Sequence, residues 1–385
     1  MATRAETARS FGSALVSENF LFPTLLAAFV LISRILCRGP LYFGDGPGQV
    51  GTIITKTYIV QPPGYWLFDR TAGLFSDPVL AISAMNILFS VAGVVVFYYT
   101  ACLLTGKLNA FLAALAYSTL FYLWFSGEIH STYATQIFFP VTTFYLLLMF
   151  DRKRAAWMLW LAALSFAAGA GMRPSDGAFM IPMAMYFAVF RMTRKEGLVF
   201  LSLISLFCLG WLIPTWHAFR YKDGSLGPFA TYCMWFATNP SILTGIRPYT
   251  LANFVRYGLP IIVGFWPVLG IAVLNAIRNR SDWRVKAMLI WILPGSLFFV
   301  LIFISNAPYL DFLSAAILLL AVSAPRLMLL TAIWNAVVFL AISPIPSKNL
   351  AMNVTNCFVL HYTHGGIQQR KNATLSELEG WAGHQ

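Results

Sequence analysis

A series of long apolar runs, broken by short basic connections, constrains this chain more than any other feature. The runs recur at roughly 19–36, 79–104, 110–126, 133–150, 155–171, 178–190, 198–216, 256–277, 286–304, 309–324 and 327–343. About 20 apolar residues make a helix long enough to cross a bilayer, where backbone polar groups have no water and must pair within the helix. The pattern predicts an all-α, polytopic integral membrane protein with about eleven transmembrane helices. Charge scarcity agrees, since 10% of residues are Asp, Glu, Lys or Arg, against about 25% in a soluble domain. Tyr and Trp are plentiful, as a chain with two membrane interfaces to anchor requires.

The net charge of +12 reads as topology rather than as a polyanion-binding surface. Arg4 and Arg9, Lys107, Arg152 to Arg154, Arg191, Arg194 and Lys195, Arg278 to Lys286, and Arg326 all fall in connections on one side. The positive-inside rule puts that side in the cytoplasm. The N-terminus is then inside, and an odd number of spans puts the C-terminus outside. The first span lacks a small-residue cleavage signal and is followed by Arg38, so it reads as an uncleaved signal anchor. Residues 1–343 form the transmembrane domain, with outer segments at 37–78 and 217–255, and 344–385 form a small extracytoplasmic tail. No basic stretch interleaved with aromatics suggests nucleic acid, so membrane lipids are the expected surroundings. The cysteines show no metal-type spacing, and an outer disulfide among Cys37, Cys233 and Cys357 is not deducible. His361, His364 and nearby Cys357 lack a fourth ligand, so no metal or other cofactor is indicated.

Acids that can face outside are few, and none sits in the middle of a convincing span. Mid-membrane acids are what proton-coupled transport ordinarily uses, so chemistry or binding at the outer interface is expected. Arg34, near the outer end of the first span, reads as a cation reaching toward water. The first outer segment is the most informative. Gly44 and Gly46 flank Asp45, Pro47 suits the first turn of a helix, and Pro62-Pro63 ends it. The segment therefore reads as two helices lying on the membrane, with one carboxylate where the chain leaves the first span. From position alone Asp45 is either a functional base or a helix cap.

An Asp just after the first span, followed by Pro62-Pro63-Gly64-Tyr65, resembles the GT-C glycosyltransferases. The branch with protein O-mannosyltransferases, aminoarabinose transferases and related polyprenyl-phosphate-sugar enzymes is the most similar. Ser126 to His130 resembles that family's second acidic site. Gly169 to Pro174 resembles its turn between the fifth and sixth spans, and Ala307 to Leu310 its late outer Tyr motif. The chain departs from its relatives at Gly46, where many carry a charge, and at Gln61, where aminoarabinose-type enzymes carry Lys. The resemblance implies a GT-C fold and transfer of a sugar from a polyprenyl-phosphate-linked donor to an acceptor hydroxyl on a lipid, glycan or protein. It implies Asp45 as general base with inversion, and Glu128 as a second acid. Arg173, Arg256, Lys56 and Arg70 are the candidates for the donor phosphate, and Gln61, Tyr65, His130 and Tyr309 for the substrate groove. Lys56 and Arg70 have an alternative role at lipid head groups, and Arg173 and Arg256 as interfacial anchors. A transporter or flippase for a lipid-linked saccharide is the alternative function. The expected location is a bacterial inner membrane with the site facing the periplasm.

The odd span count is directly testable. A reporter fused after Gln385 is expected to be active outside the cytoplasm, and activity confined to the inside would mean that the parity of the spans is wrong.

Overall fold

The structure is a computed structural model that describes residues 4–38, 46–56, 64–223, 248–302, 307–341 and His364. Residues 4–19, 46–48, 218–223, 248–253, 256, 307 and 341 are described by their backbone alone. Asp45 and Gln61, most of the outer segment 217–255 and nearly all of the tail lie outside the described residues, as do Cys233 and Cys357.

The described residues are helical and contain no strand. In chain order the helices are α1 (Arg4–Leu36), α2 (Gly46–Ile54), α3 (Trp66–Ala72), α4 (Pro78–Cys102) and α5 (Lys107–Thr119). They continue with α6 (Phe121–Ser126), α7 (Thr135–Lys153), α8 (Ala156–Met172), α9 (Pro174–Phe190) and α10 (Arg194–Asp223). The last are α11 (Pro248–Arg278), α12 (Trp283–Leu301), α13 (Asp311–Leu320) and α14 (Pro325–Ala341), with a 3-10 turn at Ala307–Leu310 before α13. Among the described residues four segments are long and apolar enough to cross a membrane: Pro78–Cys102, Arg194–His217, Tyr257–Arg278 and Trp283–Leu301. Shorter apolar helices stand at Phe20–Leu36, Ala156–Met172, Pro308–Leu320 and Pro325–Leu340. Their outward faces carry Leu88, Trp160, Leu206, Ile213, Ile262 and Ile333, an apolar surface far larger than soluble proteins expose. The described residues are thus all-helical, and the chain is an integral membrane protein.

Local chemistry explains the helix boundaries. Asp77 caps α4, its side chain accepting from the backbone N–H of Val79 and Leu80, with Pro78 at the first helical position. The run expected at 110–126 divides into α5 and α6 because Leu120 leaves the helical region, at φ −49° and ψ 120°. The run at 309–324 divides likewise, the 3-10 turn giving way to α13 at Asp311.

The core forms where α7 packs against α4 and α8, and where α14 packs against α5. Small residues allow the closest approaches. A Cβ on Gly93 would lie 2.5 Å from the Ile137 carbonyl oxygen, and one on Gly169 would lie 2.7 Å from Phe139 Cβ. Without a hydrophobic force between helices in lipid, such contacts are a main source of association. Thr143 Oγ1 donates to Ser165 Oγ at 3.0 Å and binds α7 to α8.

Candidate functional site

Arg173 sits where the chain must break. Pro174 disfavours helical geometry in the residue before it, and Arg173 is extended, at φ −149° and ψ 97°, between α8 and α9. The break turns its side chain inward, where it is 4% exposed. Nη1 donates to Thr132 Oγ1 at 2.9 Å, and Nε lies 3.3 Å from Asp176 Oδ1, one turn into α9. The guanidinium carbon stands 4.4 Å from the ring centre of Tyr133, 5.5 Å from that of Tyr309 and 5.8 Å from that of Tyr65. All three rings are half-buried. They come from three distant parts of the chain: the start of α3, the turn before α7 and the 3-10 turn before α13. The Tyr309 ring also stacks on Phe299 at 4.4 Å, which fixes that turn against α12.

The segment 127–134 forms the neighbouring wall. Asn86 on α4 fixes it by donating through Nδ2 to the carbonyl oxygens of Ile129 at 2.6 Å and Ser131 at 2.9 Å. Ser83 Oγ and His130 Nε2 are 2.8 Å apart. Glu128 is buried, with Trp124 beside its carboxyl group. Burial pushes its carboxyl well above the usual range, and the Arg34 guanidinium pulls it back.

Arg34 does not reach outward to water as the sequence suggested. It is 1% exposed, its Nη2 donates to the Ser118 carbonyl at 2.7 Å, and its guanidinium lies 5.0 Å from the ring centre of Trp124. Gly127 makes room for it, since a Cβ there would come within 2.9 Å of Arg34 Nε and 2.5 Å of Ser90 Oγ. Asp311, the first residue of α13, is also fully buried, with Ser126 beside its carboxyl group.

The structure therefore brings together Arg173, Tyr65 and Tyr309, and places Glu128 and His130 in the adjoining segment. Lys56 and Arg70 are exposed. Lys56 follows α2 in left-handed geometry, at φ 57°, and the Arg70 guanidinium lies 5.5 Å from the Trp66 ring centre. Arg256 lies on α11, described there by its backbone alone. The sequence placed Asp69, Asp176 and Asp311 only among the acids able to face outside, whereas all three are buried, and it gave Thr132 and Tyr133 no role. Asp311 did carry a signal, an acid inside an apolar run. Among the described residues no group of three or more His, Cys, Asp or Glu side chains is arranged to hold a metal.

Asp69 ties the two short helices together. It is fully buried on α3 and accepts from Gln49 Nε2 of α2 at 2.8 Å. Val50, Ile53, Phe68, Ala72, Ile82 and Phe139 close around the pair. Because α2 begins at Gly46, this pair also anchors the chain directly after Asp45.

Residues 60–216 match the family described as dolichyl-phosphate-mannose-protein mannosyltransferase. The match runs from just before α3 to near the end of α10 and covers less than half of the chain. It includes Tyr65, Glu128, His130 and Arg173, and it excludes Asp45, Arg256 and Tyr309. The resemblance to GT-C glycosyltransferases is borne out by this match. No curated protein and no solved structure matches the chain.

The Asp69–Gln49 pair predicts a pH dependence. Burial raises the Asp69 carboxyl from 3.8 to about 7, opposed by the Gln49 hydrogen bond. An acid with a raised folded pKa binds more protons folded than unfolded, so its contribution to stability falls as pH rises from about 4 to about 7 and is level above. Asp69→Asn removes that loss. Relative to the variant, the wild type should lose at least about 1 kcal/mol across this window, read from thermal melting in detergent. Equal pH dependence of the two proteins would show that Asp69 is not desolvated.

Proposed function

We propose that the protein transfers one sugar from a polyprenyl-phosphate-linked donor to an acceptor hydroxyl at the outer face of the membrane. The observation that carries this reading is the Arg173 guanidinium, held at a helix break and surrounded by three half-buried tyrosines. A planar guanidinium matches the geometry of a phosphate through paired N–H donors. Partly exposed aromatic rings around it offer apolar faces to a sugar and hydroxyls to its polar edge. The match of residues 60–216 to the mannosyltransferase family supports the same donor class.

The finer architecture belongs to this reading. The chain has about eleven spans in a GT-C arrangement, with α2 and α3 lying on the outer interface and the site open to the periplasm of a bacterial inner membrane. The prenyl tail then rests in lipid while the phosphate reaches Arg173. Lys56, Arg70 and Arg256 draw the phosphate to the outer surface, and Gln61 and His130 flank the sugar with Tyr65 and Tyr309. The acceptor is a lipid, a glycan or a protein.

In the reaction, phosphate leaves the anomeric carbon as the acceptor oxygen attacks from the opposite face, giving inversion. The breaking bond places a second negative charge on the phosphate. Arg173 stabilises that charge in a water-poor site, where a fixed cation is worth more than in bulk water. Phosphate is a good leaving group and needs little acid assistance, whereas the acceptor hydroxyl must lose a proton. Asp45, the residue before α2 in sequence, takes it. Glu128, beside Arg34, shapes the charge of the wall.

Two substitutions test this with labelled polyprenyl-phosphate-mannose and membranes containing the protein. Asp45→Asn should lower transfer about 10²–10⁴-fold while donor binding persists. A helix cap would tolerate Asn, so wild-type turnover in that variant would remove Asp45 from the mechanism. Arg173→Gln should weaken donor binding about 10- to 100-fold, and unchanged binding would move the phosphate elsewhere.

A further inference from the structure

Behind the tyrosine cage Arg173 belongs to a larger set of buried ionisable groups than binding of one phosphate requires. Arg34 from α1, Glu128 from the segment after α6, Arg173 and Asp176 from the α8–α9 break, and Asp311 from α13 are all less than 5% exposed. Asp311 lies within electrostatic reach of Arg173, Asp176 and Arg34, with Ser126 of α6 beside it. Arg34 is likewise within reach of both Glu128 and Asp311. The remaining titratable neighbours are Cys37, just after α1 and within reach of Arg34 and Glu128, and Tyr117 of α5 and Tyr122 of α6, which feel the Asp311 charge, with Tyr257 of α11 near Tyr122. From α7 comes Gln136, whose Oε1 accepts from the Phe312 N–H at 3.1 Å. From α12 comes Trp291, packed on Phe312. Neither of these titrates.

Two features of this set are unusual. It contains three carboxyl groups against two guanidinium groups, so with every group ionised it carries one surplus negative charge. Two of its carboxyl groups are also thinly paired: beyond Ser126 beside Asp311 and Trp124 beside Glu128, no side chain or backbone group among the described residues donates to either of them. Buried charges are ordinarily paired, and an unpaired ion in a protein interior is among the costliest features a fold can hold. A proton removes the surplus without any movement of the helices.

We propose that the Glu128–Asp311 cluster takes up a proton when a phosphate binds at Arg173. The inference rests on the reading of Arg173 as the donor-phosphate site. An arriving phosphate adds negative charge next to Asp176 and Asp311 and competes with them for Arg173. Protonation of a cluster carboxyl frees the guanidinium for the phosphate. The proton comes from solution and returns to it when the phosphate leaves, so no bond is made or broken apart from that to the proton. The acceptor's own proton still goes to Asp45. Asp311 acts through Arg173 and is a positioning residue.

The test uses the purified full chain in detergent, with farnesyl phosphate as probe. Titration calorimetry in two buffers of different ionisation enthalpy gives the protons taken up per phosphate bound. The free ligand's ionisation is the same for every variant, and the phosphorus NMR shift of the bound probe reads its own protonation. The wild type should take up more protons than Asp311→Asn or Glu128→Gln. Above neutral pH the wild-type affinity should fall more steeply than that of either variant, the limit for one linked proton being about tenfold per pH unit. Both substitutions are near-isosteric, and either one suffices if the other does not fold, as judged by gel filtration. Equal proton uptake in the wild type and the folded variants would overturn the proposal. Failure of farnesyl phosphate to bind the wild type, or binding unaffected by Arg173→Gln, would instead overturn the Arg173 reading on which it rests.

Discussion

The site depends on the break between α8 and α9. Pro174 cannot continue a helix through Arg173, so the chain opens there and turns the guanidinium inward. A buried cation needs partners, and here they come from every side: Asp176 one turn on, Thr132 from the segment before α7, and rings from α3, from before α7 and from before α13. One local backbone constraint therefore gathers parts of the chain far apart in sequence. Replacing the cation by an apolar side chain would leave Asp176 buried without its ion partner, which is costlier than the loss of the pair alone.

A second set of contacts holds the surrounding wall. Asn86 ties the segment 127–134 to α4 through two carbonyl groups, and Gly127 lets Arg34 cross beside it without a clash. The Gln49–Asp69 pair fixes α2 to α3 and so anchors the chain that follows Asp45. Close approach of small residues, polar ties between helices and buried ion pairs share this work. Lipid tails are as apolar as the side chains, and burial of apolar surface gives little force between helices.

The helical class was legible because a membrane chain writes it in apolar runs, and α4, α10, α11 and α12 hold four segments that answer to the length rule. The break at Leu120 was not legible, since it lies inside a run without a charge, and the one before Asp311 is marked by that single acid alone. Of the site, Arg173-Pro174 was readable as a local signal, because Pro constrains its predecessor wherever it occurs. The tyrosine cage was not, because Tyr65, Tyr133 and Tyr309 meet only through tertiary packing. Arg34 shows the limit of reading a charge by its place in a span. A cation near a helix end ordinarily reaches for water, yet here neighbouring helices cover it and Ser118 and Glu128 take the place of solvent.

The central claim is that Arg173 and its tyrosines receive the phosphate of a lipid-linked sugar. A cryo-electron microscopy map of the protein with farnesyl phosphate would test it most directly. The account predicts phosphate density within hydrogen-bond reach of the Arg173 guanidinium, with the prenyl chain leading away into lipid. Phosphate density at Lys56, Arg70 or Arg256, with the Arg173 guanidinium unengaged, would contradict it.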